Sequence, residues 1–240
     1  DTAKITIIPS TAPADEATPA LVESLREMES RVQGTTGISY GVTGQTAIEL
    51  DISDRLSSSL IPYLLVVVGL AFILLIIVFR SILVPLTAAL GFLLSVAATF
   101  GVTVALFTDG ALGIVDNPQP LVSFLPIMLV GIVFGLAMDY QVFLVTRMRE
   151  AYVHGADAKT AVVEGYRHSA RVVAAAAAIM ISVFAAFMLQ DMAFIMVMGF
   201  ALAAAVFLDA FVVRMALVPA VMTLLGRSAW YLPRWLDRGL

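Results

Sequence analysis

Three ionisable side chains stand in sequence that is otherwise apolar: Asp139, Asp209 and Arg214. Asp139 lies 13 residues after Pro126 and eight before Arg147. A charged side chain at that depth in hydrocarbon costs about 3 kcal/mol or more, and such residues serve proton or ion pathways facing the protein interior. Gly131, Gly135, Asp139 and Phe143 recur at intervals of four, which reads as one helix face. The two glycines form a GxxxG, which admits a second helix at close range. Asp139 is therefore expected to point at another helix. Tyr140 beside it offers a hydroxyl for relay or hydrogen bonding. The competing reading is a neutral Asp139 acting only as glue between helices.

Asp209 and Arg214 are five apart. On an α-helix that separation places them about 140° apart, so each is expected to meet a different helix. A relay role and a structural role both stay open for them. Arg171, at the start of an apolar span, reads as a charge anchor at the membrane surface or as a contact to the Asp139 network. Met188, Met192, Met196 and Met198 fit flexible packing better than a soft-metal path. His154 and His168 have no acidic pair at ligand spacing and read as surface residues. There are no cysteines, which excludes a disulfide framework, thiol catalysis and Cys-ligated metal. No phosphate-binding loop is present. No cofactor and no enzymatic site follow from these residues. A net charge of −4 without a basic run argues against nucleic acid.

The elements that must position these groups follow from composition. Hydrophobic residues make up 60% of the 240 residues and charged residues 13%, against roughly half and a quarter in an average soluble domain. Thirteen of the 32 charged residues precede Leu56. Apolar runs long enough to cross a bilayer, about 20 residues each, fall at about 60–79, 82–107, 121–146, 172–189 and 192–225. The last is long for one span, but no Gly or Pro near Asp209 supplies a reversal, so one helix kinked at Pro219 is expected. The fold class is a helical integral membrane bundle of five spans. Residues 46–226 form that bundle, and 227–240 a tail.

Polar segments refine the layout. Lys4–Ile8 and Ile38–Val42 read as short strands around a helix from Ala17 to Val32, a β-α-β segment over 1–45 that is too small to fold alone. A polar helix from about Gln45 leads into the first span. Residues 108–120 read as a loop through Gly110, Gly113, Asn117, Pro118 and Pro120. Gly155 is a helix stop and Asp157 an N-cap, opening a short amphipathic helix on the membrane surface. Arg80, Arg147, Arg149, Lys159, Arg167, Arg171, Arg227, Arg234 and Arg238 share one side of this layout, while 108–120 and 190–191 contain no Lys or Arg. That asymmetry marks the basic side as cytoplasmic, with residues 1–50 outside. Trp230, Tyr231 and Trp235 suit an interfacial belt.

The run Gly135-Leu-Ala-Met-Asp139-Tyr140-Gln-Val-Phe143-Leu-Val-Thr-Arg147-Met-Arg149-Glu150 resembles the signature of the MMPL family, within the resistance-nodulation-division superfamily of proton-driven exporters. Thr43-Gly44-Gln45, Leu208-Asp209-Ala210, Val213-Arg214, Leu217-Val-Pro219-Ala220 and the tail from Trp230 to Arg238 are similar as well. Thr146 stands where the family has Ser. The resemblance is to the second half of such transporters, which are two six-span repeats, each with an external porter domain. It implies that 1–45 is the end of a porter domain and that an N-terminal half of the same transporter is a partner. It further implies a secondary active transporter of the cell membrane that exports lipids or other hydrophobic molecules, with Asp139 and Tyr140 carrying protons and Gly131, Gly135 and Phe143 packing at the relay. The alternative within the superfamily is a non-transporting, lipid-sensing membrane protein. Oligomeric state stays open, a homo-oligomer among the options.

Overall fold

The computed structural model describes residues 2–11, 15, 17–113 and 121–233, the side chains of Leu112 and His168 excepted. Loop residues 114–120, the tail from 234 with Trp235, and the His168 side chain therefore lie outside the described residues. Two compact units divide the chain, 1–59 and 60–240.

In the first unit, α1 spans Ala17–Thr36 and the opening turns of α2 begin at Gln45. Gly37, at φ 73°, ends α1, the left-handed position that a residue without Cβ takes at little cost. Arg26 grips Asp51 through two hydrogen bonds of 2.6 and 2.9 Å. The Tyr40 hydroxyl donates to the Leu25 carbonyl. The two expected strands are a correction: no strand occurs among the described residues, and Lys4–Ile8 and Ile38–Val42 have no regular structure. A strand is completed only by hydrogen bonds to a neighbouring strand, and neither segment has such a ladder here. Ile5, Ile8 and Ile38 stay exposed. The α+β description of 1–45 is not supported.

The second unit is helical. Among the described residues, five helices are long and apolar enough to cross a membrane. The first, α2, runs unbroken over Gln45–Phe79, so the polar lead-in and the first span are one helix that continues through Pro62. Ile61, Leu65, Leu70 and Ile73 on it are exposed, a surface that water would not support and lipid does. Tyr63, Leu64 and Val68 pack against the core while partly buried, and at the end of the helix Leu75 and Phe79 are buried in it. Arg80 turns the chain at φ 45°, and α3 follows over Leu83–Phe107.

α4 spans Leu125–Val153 and α5 spans Ala158–Phe187. Between them Gly155 adopts φ 101°, and the Asp157 carboxylate accepts from the amides of Lys159 and Thr160 at 3.2 and 3.3 Å. Hydrogen bonds from Thr160, side chain first and backbone second, hold that carboxyl below its ordinary pKa. Stop and cap thus fall where the sequence placed them. The surface helix does not end, however. It continues as the opening turns of α5, because Ala161, Val162 and Tyr166 pack inward and nothing breaks the helix before the apolar run. Gly165 lets α5 lie directly on α4: a Cβ there would sit 2.5 Å from the Met148 nitrogen.

The last span is one rod over Ala193–Trp230. It comprises α6 (Ala193–Phe207), a π-helical segment (Leu208–Leu217), α7 (Val218–Leu225) and a 3-10 turn (Gly226–Trp230). The expected single crossing holds in form, but the irregularity lies before Pro219, not at it. The Val218 amide closes an i→i+5 bond on the Val213 carbonyl, and Pro219 has no amide with which to extend that ladder. The end of the rod is fastened. The Ser81 hydroxyl donates to the Ala229 carbonyl at 2.5 Å, and Trp230 stacks on Tyr152 at 5.3 Å between ring centroids.

Candidate functional site

Asp139 sits in the middle of α4, yet it is exposed within this chain, as are Gly135 and Phe143. The expectation that it points at another helix is not met by any of the other four spans. The reason is geometric. Steps of four residues advance 400° on a helix of 3.6 residues per turn, so the stripe drifts about 40° per step and about 120° from Gly131 to Phe143. Gly131 therefore meets α2, where a Cβ would lie 2.7 Å from the Tyr63 hydroxyl, while Gly135 has nothing within 4 Å. Among the described residues, only one glycine of the GxxxG is used for packing.

Tyr140 turns away from Asp139. It packs against the cluster of Val173, Ala177, Val206 and Ala210, and its hydroxyl donates to the Met180 sulfur at 3.3 Å. Adjacent residues on a helix diverge by about 100°, so Asp139 and Tyr140 address different surroundings.

The buried charge lies elsewhere. Arg214 Nε donates to Asp209 Oδ2 at 2.6 Å and Nη2 to Oδ1 at 3.4 Å, and both side chains are almost wholly buried. The expectation that they diverge is overturned by the π-helix. An i→i+5 ladder widens the turn and swings residues five apart towards the same face, which is the separation of this pair. Arg214 Nη1 also donates to Gln141 Oε1 at 2.8 Å. That bond ties the last span to α4, two positions beyond Asp139. Each ion would be costly alone in this interior, and the fork geometry and the Gln141 carbonyl offset part of that cost.

Gln141, Ser95 and Ser169 were not singled out from sequence. All three are buried, and Gln141 Nε2, Ser95 Oγ and Ser169 Oγ lack hydrogen-bond partners among the described residues. A Gln inside an apolar span was the available signal. Arg171 is exposed and outside the Asp209–Arg214–Gln141 set. His154 Nδ1 bonds the Glu150 carbonyl at 2.7 Å, and Met198 packs in the core. No group of three His, Cys, Asp or Glu suited to a metal occurs among the described residues.

Five apolar helices around a buried Asp–Arg–Gln cluster, with a second carboxylate carried at mid-span, define a multi-pass membrane protein. The MMPL family model matches residues 1–238, and the chain belongs to that family. It is 48% identical over 98% of its length to "Membrane protein YdfJ" of Bacillus subtilis, covering 32% of that protein. It is 37% identical over 99% of its length to "Mycolic acid-containing lipids exporter MmpL11" of Mycolicibacterium smegmatis, covering 25% of it. Against "Trehalose monomycolate exporter MmpL3" of Mycobacterium tuberculosis it is 37% identical over 84% of its length, covering 22%. The chain thus spans a third or less of the length of these relatives.

Proposed function

We propose that this chain belongs to the C-terminal half of a transporter that exports lipids or other hydrophobic molecules across the cytoplasmic membrane, driven by protons. The observation that carries the reading is the open face of Asp139. A carboxylate in mid-span is costly against lipid, and the relatives contain three or more times the length of this chain. The remaining length supplies the surface that covers Asp139 and exchanges protons with it, with Tyr140 assisting. Asp209 and Arg214 hold the adjoining interior. The lipid class follows the mycobacterial relatives, which are named as exporters of mycolic acid-containing lipids and of trehalose monomycolate. The basic loops lie in the cytoplasm and residues 1–50 outside, by the Lys and Arg asymmetry. The protein is a secondary transporter and not an enzyme.

The test is Asp139→Asn in the full-length protein, reconstituted in liposomes under a proton gradient. The amide keeps size and hydrogen bonding and cannot titrate, so insertion should survive and lipid export should be lost at every pH. Tyr140→Phe should slow export. Normal export by Asp139→Asn would defeat the proposal.

A further inference from the structure

The π-helical segment carries an inference that does not depend on the transport reading. We propose that the Asp209–Arg214 ion pair is a latch: it holds Leu208–Leu217 in the π form, and that form keeps the end of the rod docked on the bundle.

Three observations meet here. First, the pair is compatible with the π-helix and not with a continuous α-helix. Five α-helical positions put the two side chains about 140° apart, whereas the i→i+5 ladder brings them together at 2.6 Å. Long π segments are rare because that ladder is poorer than the α one, so ten residues of it need a compensating interaction. The buried ion pair, closed by Gln141 at 2.8 Å, supplies it. Second, the neighbouring helix leaves room for the segment. Gly91 of α3 lies under Val213, where a Cβ would be 2.6 Å from Val213 Cγ1. Third, everything after the segment depends on its pitch. A π-helix winds more slowly per residue than an α-helix. Conversion of ten residues to α would turn the rest of the rod by a large part of a turn. Val218 and Met222 are buried on one side, Ala229 holds Ser81, and Trp230 lies flat on Tyr152. None of these contacts survives such a rotation.

The segment therefore has two arrangements: π, paired and docked, or α, unpaired and released. Gln141 gives α4 a handle on the choice, since a shift of α4 pulls on Arg214 directly. The tail is the reporter of the latch.

The test uses the full-length protein, with cysteines elsewhere replaced and spin labels at the exposed positions Val163 and Tyr231, one on α5 and one just beyond the 3-10 turn. The distance distribution between them is measured. The intact pair should give one narrow population. Arg214→Met should displace or broaden it, and the reversed pair Asp209→Arg with Arg214→Asp should restore it, Gln141 then offering its amide to the aspartate. If Arg214→Met does not fold because it strands a buried carboxylate, the neutral pair Asp209→Leu with Arg214→Met removes both charges and should show the same displacement. An unchanged distribution in Arg214→Met or in the neutral pair overturns the latch. So does a reversed pair that stays displaced.

Discussion

Gly165→Ala probes the seam on which the position of α4 rests. The new methyl would lie 2.5 Å from Met148 N, 2.6 Å from Met148 Cα and 2.7 Å from Met148 Cγ. Comfortable contact between carbon atoms is about 3.5–4.0 Å. Two of the three obstacles are backbone, so no rotamer change relieves them, and α4 and α5 must part by about 1 Å. Leu144, Met148 and Val162 are packed into that seam. Overpacking of this kind costs about 1–3 kcal/mol. The gain in helix propensity from Gly to Ala returns up to about 1 kcal/mol. With the full propensity gain the balance is a loss of up to about 2 kcal/mol. The assay is thermal unfolding of the purified full-length protein, followed by loss of the monodisperse chromatographic peak. Gly101→Ala is the internal control, since nothing among the described residues lies within 4 Å of a Cβ there. Gly165→Ala should melt several degrees lower, and Gly101→Ala should not. A Gly165→Ala protein that melts at or above the parent temperature would refute the close approach of the two helices.

Other outcomes follow from the same geometry. Asp157 has its carboxyl held below its ordinary pKa by Thr160, so its cap strengthens α5 above the unfolded value and fails as pH falls through the lower, folded one. Amide protection at Lys159 and Thr160, taken against the intrinsic exchange rate at each pH, should therefore fall on acidification in the parent and show no such step in Asp157→Ala. Ser81→Ala removes the hydroxyl that ties α3 to Ala229, and a loss of about 1 kcal/mol should appear as a lower unfolding temperature. Cysteines at the exposed positions Ser57 and Lys159 should be labelled by an impermeant reagent from outside the cell and only after permeabilisation, respectively. The opposite pattern would reverse the topology.

The spans were legible because length and hydropathy alone decide whether a helix suits a bilayer. Gly155 and Asp157 were legible because a helix stop and a cap are local. What escaped the sequence depends on distant or unusual partners. The strands at 4–8 and 38–42 needed a neighbour that alternation cannot supply. The pairing of Asp209 with Arg214 was missed because a period of 3.6 was applied where the chain winds with i→i+5 bonds. A four-residue spacing looks like one face in the sequence but drifts around the helix, which is why the exposure of Asp139 is not legible from the stripe. Gln141 drew no attention beside Asp139, yet it is the residue that joins α4 to the buried charge.

The clasp between Ser81 and Ala229 spans 148 positions of sequence, and this has a bearing on biogenesis. α4 with α5, and α5 with α6, are neighbours along the chain and can zip as hairpins while synthesis continues. α3 cannot be closed in the same way. Its partner at Ala229 emerges only after every other described helix has been made, and non-local contacts of this kind form late. Until the last rod is in place, the side of α3 that packs on it, with Gly91 against Val213, stands open to lipid or to whatever holds it during insertion. A ribosome stalled before Ala229 should therefore leave a chain whose hairpins are formed and whose α3 is still accessible to membrane chaperones and proteases. The last few residues of the rod thus decide when the bundle is complete.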